Sequence, residues 1–410
     1  MKKITALLLI AAIALSLCAC GAKTQPEETE TAMTPQTDEE NYNTGDASLD
    51  NPGNADGIGE REMLVVSFGT SYNDSRRLTI GAIENDIAAA FPEYSVRRGF
   101  TSQIIIDHVL SRDNIKIDNV TEALERASAN GVKELVVVPT HLMDGYEYND
   151  LVNELANYAD AFDVISVGRP LLDTDEDFTA VAQAVVDVCA EYDDGETAIC
   201  LMGHGTEADS NGVYEKMQDT LTAMGAKNYF VGTVEAEPSL DTVLSLVKNG
   251  SYKRVVLRPL MVVAGDHANN DMAQEWGEAF EAAGFEQTSQ IIGLGELKAV
   301  QDVAVKNAKA AISKAAVAKS TTATVKSAKK AFTVKITAKS GMSGYEYRYA
   351  TTKSKLTTAK VRSAKAGTTF TVKNLSSKKT YYVQVRTYKK TPSGKKVYSK
   401  WSTAKKVTTK

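Results

Sequence analysis

The chain has 410 residues and a formal net charge of −5, and this small value hides a sharp division of charge along the sequence. Residues 301–410 contain 27 Lys and Arg against 2 Asp and Glu, whereas the rest of the chain contains 20 against 50. This length and division indicate two or three modules with different surroundings. The 4 cysteines include no CxxC pair, which argues against a disulfide scaffold and against a zinc ribbon.

The first twenty residues have the features of a targeting segment. Lys2 and Lys3 precede an apolar stretch over 4–17 that is too short to span a bilayer comfortably. The stretch ends in LCAC followed by glycine, which resembles the lipobox of bacterial lipoproteins. This resemblance implies cleavage before Cys20, lipid attachment to its thiol, and an extracytoplasmic protein anchored to the cell membrane. Simple secretion is the alternative.

Residues 21–61 are predicted to be a disordered acidic linker. Between Lys23 and Arg61 the segment has ten acidic residues and no basic one. It contains too little apolar surface to offset the entropy lost on ordering, so we expect an extended tether.

Residues 62–314 are predicted to form an α/β domain. Apolar runs typical of buried parallel strands alternate with helical patterns, which indicates parallel sheets flanked by helices. The predicted strands are LVVSF, ELVVVP, FDVISVG, TAICLM, NYFVGTV and RVVLRPLMVV. The predicted helices are Ser75–Phe91, Asn119–Ala129, Asp175–Tyr192, Gly212–Met224, Ser239–Lys248 and Met272–Ala283. No GxGxxG or Walker sequence supports nucleotide binding.

Residues 315–410 change to a period-two pattern rich in Lys, Thr, Ser and Val, which predicts an all-β sandwich. The run LSSKKTYYVQVR resembles the strand-F region of fibronectin type III modules. By that resemblance Tyr381 is the corner tyrosine, and Val383 and Val385 point inward. The lysines suit either a solvated face or contact with an anionic cell-wall polymer. Nucleic acid is not an expected partner, since the basic residues are not gathered on one helix.

The α/β region contains an internal repeat. Pro139 and Gly145 in ELVVVPTHLMDGYEYNDL have the same spacing as Pro259 and Gly265 in RVVLRPLMVVAGDHANNDM. Two residues after each glycine comes a metal-capable side chain, and SFGTS and MGHGT form a second matching pair. The apolar run after Arg254 is expected to continue as strand and to break at Gly265. Since sites in open α/β sheets form at the carboxyl ends of strands, two such halves, at about 62–190 and 196–314, predict a cleft between them.

Three side chains are expected to converge on that cleft, namely His204, His267 and Glu147. Glycines flank His204, and His267 lies in a polar cluster, so neither position suits core packing. Neutral imidazole binds Co²⁺, Fe²⁺, Ni²⁺ or Zn²⁺ and titrates near neutrality. His108 has apolar neighbours and is interpreted as structural, and His141 is left open between site and structure. There is no HExxH and no GxSxG, so a zinc hydrolase or serine hydrolase has no motif support.

The motifs LVVSFGTSY, GFTSQIII, HLMDGYEY, MGHG, VEAEP and PLMVVAGDHANNDM resemble the anaerobic sirohydrochlorin cobaltochelatases, relatives of ferrochelatase. The resemblance implies a class II chelatase fold, in which two Rossmann-like halves enclose a tetrapyrrole cleft. It places His204, His267 and Glu147 at metal-binding and catalytic positions, and Glu235 among the residues that line the cleft. Ser67, Gly69 and Thr70, in the loop after the first strand, are expected to contact substrate.

The implied reaction is insertion of Co²⁺ into sirohydrochlorin in anaerobic cobalamin biosynthesis, with no organic cofactor and no ATP. Cobalt is a substrate here, and the same donor set also accepts Fe²⁺ and Ni²⁺. The lipoprotein leader and the appended sandwich depart from the cytoplasmic pattern of the family. The alternative hypothesis is therefore a surface lipoprotein that captures haem, a corrinoid precursor or metal in a chelatase-like cleft.

Overall fold

The computed structural model describes residues 44–312, 317–364, 367–390 and 396–410. The predicted signal peptide, Cys20 and the first part of the predicted linker lie outside the described residues, as does the predicted boundary at 314–315. Within the described part of the chain, no helix is long and apolar enough to cross a membrane.

Two parallel four-stranded sheets form the α/β region, as predicted. The first has the order β2-β1-β3-β4 and the second the order β6-β5-β7-β8, so the two halves share one topology. The strands of the first sheet are β1 (Arg61–Ser67), β2 (Ser95–Phe100), β3 (Glu134–Pro139) and β4 (Val164–Val167). Those of the second are β5 (Thr197–Gly203), β6 (Tyr229–Thr233), β7 (Arg254–Pro259) and β8 (Glu286–Ser289).

Helices cover both faces of each sheet. In the first half they are α1 (Asn73–Arg76), a π-helical turn (Arg77–Gly81), α2 (Ala82–Ala90), α3 (Gln103–Asp113), α4 (Val120–Ala129) and α5 (Tyr146–Leu155). They continue with α6 (Asp175–Val188), α7 (Gly212–Ala223), α8 (Leu240–Lys248), a π-helical segment (Ala268–Trp276), α9 (Gly277–Ala282) and α10 (Lys298–Ile312). The helices named as examples in the sequence analysis do not include α3, α5 and α10, and the predicted strands do not include β2 and β8.

The two halves share a core. One apolar cluster includes Val65 and Val136 of the first sheet and Leu201 and Val256 of the second. The helix α10 ends the second half in sequence, yet it packs against α2, β3 and α6. The halves are therefore joined by packing as well as by their loops. The buried thiols Cys189 and Cys200 are unpaired, as expected.

Residues 44–60, which the sequence placed in a flexible tether, make defined contacts with the first half. We call this segment the strap. It contains a 3₁₀ turn (Ala47–Leu49) that is capped by the side chain of Asp46. The acidic side chains that gave the segment its disordered composition include Asp50 and Asp56, and both form ion pairs with arginines of the first half. Ion pairs with arginines distant in sequence thus offset the conformational entropy that the strap loses on ordering. Composition alone did not indicate these partners.

The C-terminal region is an antiparallel sandwich of two sheets. One has the order β13-β10-β9, and the other has the order β12-β11-β14-β15 with β16 also paired to β14. The strands are β9 (Ala323–Ala328), β10 (Ala331–Ile336), β11 (Gly344–Ala350), β12 (Arg362–Ser363), β13 (Thr369–Val372), β14 (Thr380–Lys390), β15 (Lys396–Tyr398) and β16 (Lys405–Thr408). Val383 and Val385 are buried, as predicted. The hydroxyl of Tyr381 accepts a hydrogen bond from the backbone N–H of Ser376 at 3.3 Å, the kind of contact that a corner tyrosine makes.

Candidate functional site

The loops that follow β3 and β7 repeat one another in detail. Each strand ends at its proline, and each loop leads to a helix that begins just after the repeated glycine. The side-chain amide of Asn149 donates to the carbonyl of Gly145 at 2.5 Å, and that of Asn269 donates to the carbonyl of Gly265 at 2.8 Å. The spacing seen in the sequence therefore corresponds to a repeated structure.

The expectation that β7 continues to Gly265 is wrong, because the strand ends six residues earlier at Pro259. Beyond it, the carbonyls of Met261 and Val262 accept hydrogen bonds from Leu294 and Gly295, which do not belong to the sheet. The apolar residues at this position thus form a loop over the carboxyl edge rather than a longer strand. That loop carries His267 away from the sheet.

His204 and His267 lie side by side at this edge. Their ring centroids are 4.6 Å apart, and the ring planes are nearly perpendicular at 87°. His204 follows β5 directly, and His267 is the residue before the π-helical segment. Their side chains are 45% and 37% exposed, so both rings remain accessible to a ligand.

The two rings are held by their Nδ1 atoms. Nδ1 of His204 lies 2.9 Å from the carbonyl oxygen of Gly205, and Nδ1 of His267 lies 2.6 Å from Oδ2 of Asp271. Each Nδ1 therefore carries a proton as donor, which leaves the Nε2 lone pair of the neutral ring for a metal or a proton. The hydrogen bond and charge of Asp271 raise the pKa of His267 above its usual value, although burial opposes them.

Two glutamates surround the histidine pair. Oε2 of Glu235 lies 3.7 Å from Nδ1 of His204, and its charge also raises the pKa of His267. Glu147 retains an exposed surface in the first turn of α5, but the surrounding protein displaces enough water to raise its pKa, against the opposing charge of His204. The structure thus places Glu147 close enough to His204 for their charges to interact. Glu235, which was expected only to line the cleft, lies directly beside the His204 ring.

No group of three or more His, Cys, Asp or Glu side chains among the described residues is arranged to hold a metal ion. The constellation is instead a histidine pair with carboxylates nearby. Such an arrangement suits an ion that is bound briefly and then released, since a closed structural site would use a full set of ligands.

The predicted substrate-contacting residues Ser67, Gly69 and Thr70 are all buried. The hydroxyl of Thr140 donates to that of Ser67 at 2.7 Å. Gly69 has a φ of +108°, and a Cβ at this position would meet the Phe100 ring at 2.6 Å. These three residues form the base of the loop, and their contact with substrate stays a prediction.

Phe68 is the residue of this loop that the sequence analysis left without a role. Its side chain is 47% exposed, and it occupies in the first half the place that His204 occupies in the second. The match between Phe68-Gly-Thr and His204-Gly-Thr in the sequence already placed these two residues at equivalent positions, but it assigned Phe68 no function. The repeated fold therefore presents an aromatic face in one half and an imidazole in the other.

The remaining histidines have structural surroundings. His141 is 8% exposed, and neither of its ring nitrogens has a hydrogen-bond partner among the described residues. Burial lowers its pKa to about 4, so the ring is neutral near pH 7. His108 lies in α3 and is half-buried.

Comparison with known proteins identifies the family of the α/β region. Residues 61–313 match the family model described as Cobalt chelatase (CbiK). The Sirohydrochlorin cobaltochelatase of Salmonella typhimurium is 35% identical over 246 residues, which make up 59% of this chain and 92% of that protein. The Sirohydrochlorin cobaltochelatase CbiKC of Nitratidesulfovibrio vulgaris is 29% identical over 260 residues, or 62% of this chain and 91% of that protein.

Among solved structures, SirB from Bacillus subtilis with Fe3+ aligns with a TM-score of 0.46 at 15% identity, over 61% of this chain and 95% of that one. The match to the family model covers more than half of the chain and includes both histidines and both glutamates. The chain belongs to the cobalt chelatase (CbiK) family.

Proposed function

We propose that this protein is a sirohydrochlorin cobaltochelatase, which inserts Co²⁺ into sirohydrochlorin without ATP. The observation that carries the proposal is the perpendicular pair of His204 and His267, in which each Nδ1 is engaged and each Nε2 is available. The two similar relatives that carry this name support the choice of metal and tetrapyrrole.

The geometry suggests which residues bind the metal ion and which accept the pyrrole protons. The Nε2 atoms of His204 and His267 bind Co²⁺, with Glu147 assisting. Insertion of a divalent metal releases two pyrrole protons. As the ion passes to the ring nitrogens, Nε2 of His204 becomes free and accepts one of these protons, and the carboxylate of Glu235 beside Nδ1 stabilises the imidazolium. The raised pKa of Glu147 suits it to take up the other proton.

The exposed ring of Phe68 offers a surface against which the flat face of the tetrapyrrole can pack. Metal selectivity does not follow from the donors, since the same nitrogen and oxygen set binds Ni²⁺ or Fe²⁺ and the intrinsic order favours Ni²⁺ over Co²⁺. Selection among these metals then depends on site geometry and on supply.

The test is anaerobic spectroscopy of the chain from Gly21 onwards with sirohydrochlorin and Co²⁺. Conversion of many equivalents, well above the rate without protein, is the expected result. A spectral change that stops at one equivalent, or tight haem binding with no metallation, would favour the capture lipoprotein and contradict the proposed reaction.

We further propose that Cys20 is lipidated and that the protein is anchored outside the cytoplasm. The support is the LCAC motif and the positive residues that precede the apolar stretch. Replacement of Cys20 by serine is expected to move the protein from the membrane fraction to the soluble fraction. Retention of that variant in the membrane would contradict lipid attachment.

The basic module is proposed to bind an anionic cell-wall polymer. Residues 317–410 contain 24 Lys and Arg and a single acid, Glu346, which is buried and paired with Arg386 and Lys396. The surface cations of the module therefore meet no carboxylate of their own. A hollow lined by Lys353, Lys406 and several hydroxyl groups gives a phosphate-rich polymer a place to bind.

Sedimentation with purified cell walls tests this interaction. Binding is expected to weaken steeply as salt rises and to fall when Lys353 and Lys406 are both changed to glutamine. If cell walls stripped of anionic polymer bound the protein as well as intact walls, recognition of that polymer would be ruled out.

A further inference from the structure

The strap precedes the family-matched residues, which begin at residue 61, but it is bound closely to the first half. The backbone N–H of Asp74 donates to the carbonyl of Thr44 at 2.8 Å. At Gly53 the φ angle is +67°, and a Cβ there would lie 2.6 Å from Cβ of Arg98. Only glycine allows the strap to lie so close to β2.

Asp50 inserts the strap into a buried ionic cluster. Its carboxylate accepts from Nε of Arg76 at 2.6 Å and from both terminal nitrogens of Arg98 at 2.7 and 3.0 Å. The side chains of Asp50, Arg76 and Arg98 are 5%, 0% and 1% exposed. Although burial opposes it, the hydrogen bonds and charges of Arg98 and Arg76 keep the pKa of Asp50 below its usual value. Glu84 completes the cluster through Arg98, with bonds of 2.8 Å.

Arg76 extends from this cluster to the loop after β1. One terminal nitrogen donates to the carbonyl of Thr70 at 3.2 Å and to that of Ser71 at 3.4 Å, and the other donates to Oδ1 of Asn73 at 2.5 Å. Since Asp50 holds Nε of the same planar group, the carboxylate sets the orientation in which Arg76 meets the loop.

That loop lies against the segment that carries His267. A Cβ on Gly265 would be 3.0 Å from Oγ1 of Thr70, and the backbone N–H of Ala264 donates to Oγ of Ser75 at 2.9 Å. Gly265 in turn accepts the side-chain hydrogen bond of Asn269 in the next helical segment. A continuous set of contacts therefore runs from the strap, through Arg76 and the first loop, to the backbone just before His267.

We infer that Asp50 is a positioning residue of the metal site, and that the strap is a working part of the catalytic domain rather than a spacer. The inference rests on the proposed function, because the loop that Asp50 positions matters for a reaction only if His267 binds the ion. The orientation of the Arg76 guanidinium depends on the carboxylate of Asp50, which lies outside the family-matched residues.

Three variants of the full chain test the inference. Asp50→Asn keeps the size of the side chain but removes its charge. Asp46→Asn makes the same change at an exposed position of the strap and retains a capping side chain. Glu84→Gln weakens the hydrogen bonds to Arg98 in the same buried cluster and leaves the hydrogen bonds of Arg76 in place. Co²⁺ affinity is measured by titration calorimetry without tetrapyrrole, followed by kcat and KM at a temperature where circular dichroism shows each variant folded.

Asp50→Asn is expected to weaken Co²⁺ binding about tenfold, while KM for sirohydrochlorin is unchanged. Asp46→Asn is expected to behave as wild type, and Glu84→Gln to lower the melting temperature but not the Co²⁺ affinity. If Asp50→Asn does not fold, Arg76→Lys replaces it, since a lysine keeps the charge beside Asp50 but loses the fork that holds the Thr70 and Ser71 carbonyls.

The inference would be overturned if Asp50→Asn bound Co²⁺ as tightly as wild type. It would also be overturned if Glu84→Gln lost as much Co²⁺ affinity as Asp50→Asn. Wild-type protein that binds Co²⁺ but does not metallate sirohydrochlorin would refute the proposed reaction alone, because the comparison of Co²⁺ affinities would still stand.

Discussion

The replacement of Asp271 by asparagine tests whether the hydrogen bond to His267 supports the proposed metal site. Oδ2 of Asp271 lies 2.6 Å from Nδ1 of His267, four residues earlier in the chain. The carboxylate fixes the ring orientation and makes Nε2 a stronger donor. An amide can still accept a hydrogen bond through its oxygen, but it supplies no negative charge.

Loss of a partner of this kind lowers metal affinity by about 10- to 100-fold, which corresponds to about 1.4–2.8 kcal/mol. Titration calorimetry with Co²⁺ at pH 7.5 measures the change directly. Asp266→Asn is the matched control, because Asp266 is next to His267 in the chain, accepts a hydrogen bond from Asn270 at 2.6 Å, and raises the pKa of His267 through its charge. Equal losses of affinity in the two variants would show that general negative charge, not the oriented hydrogen bond, accounts for binding.

The same variant has a pH signature in stability. The pKa of His267 is raised in the folded protein, so the His267–Asp271 pair stabilises the fold below the unfolded pKa near 6.5, and this contribution is lost as pH rises through the folded value. Because both side chains are partly exposed, the pair is worth about 0.5–1 kcal/mol. Urea unfolding should show wild type more stable than Asp271→Asn at pH 5.5 and equal to it at pH 9. A difference that persists at pH 9 would contradict the linkage.

Four other substitutions have defined outcomes. His204→Ala and His267→Ala should each abolish metal insertion, and unchanged metallation rates in both would refute the site. His204→Ala should change the unfolding free energy by less than about 0.5 kcal/mol because its ring is partly exposed, whereas His267→Ala should cost up to about 0.5–1 kcal/mol, the contribution of its pair with Asp271. Phe68→Ala should raise KM for sirohydrochlorin and leave Co²⁺ affinity unchanged, as measured by steady-state kinetics and calorimetry. An unchanged KM with a lower Co²⁺ affinity would contradict a role in packing against the tetrapyrrole. Tyr381→Phe should destabilise the C-terminal module by about 1 kcal/mol through loss of the bond to Ser376, and thermal unfolding that matches wild type would exclude that contribution.

Local patterns predicted much of the fold because apolar runs mark buried strands wherever both faces are covered. They missed β2, whose sequence SVRRGF contains two arginines. Arg98 is buried only because Asp50 and Glu84 neutralise it, and Arg97 lies 3.4 Å from the buried carboxylate of Glu62. A strand with buried charge cannot be identified before its partners are known.

The candidate site residues could be proposed from the sequence because the repeat and the motifs lie within short stretches of it, and the structure brings His204 and His267 together. Glu147 and His267 occupy corresponding places two residues after a repeated glycine, and His204 directly follows β5. The carboxyl ends of parallel strands bring such residues to one edge of a sheet. The sequence did not indicate that Glu235 lies 3.7 Å from His204. Asp271 stood four residues after His267, so helical spacing could have indicated the pair.

The sequence by itself determined the division into an acidic α/β region and a basic β module, the duplication within the first, and the identity of the histidine pair, because composition and short-range spacing encode these features directly. The tertiary structure alone decided that β7 stops at Pro259, that α10 packs against the first half, and that the strap completes a buried charge cluster. Those features depend on contacts between residues far apart in the chain. Their energies become defined only when desolvated charges and apolar faces meet their partners.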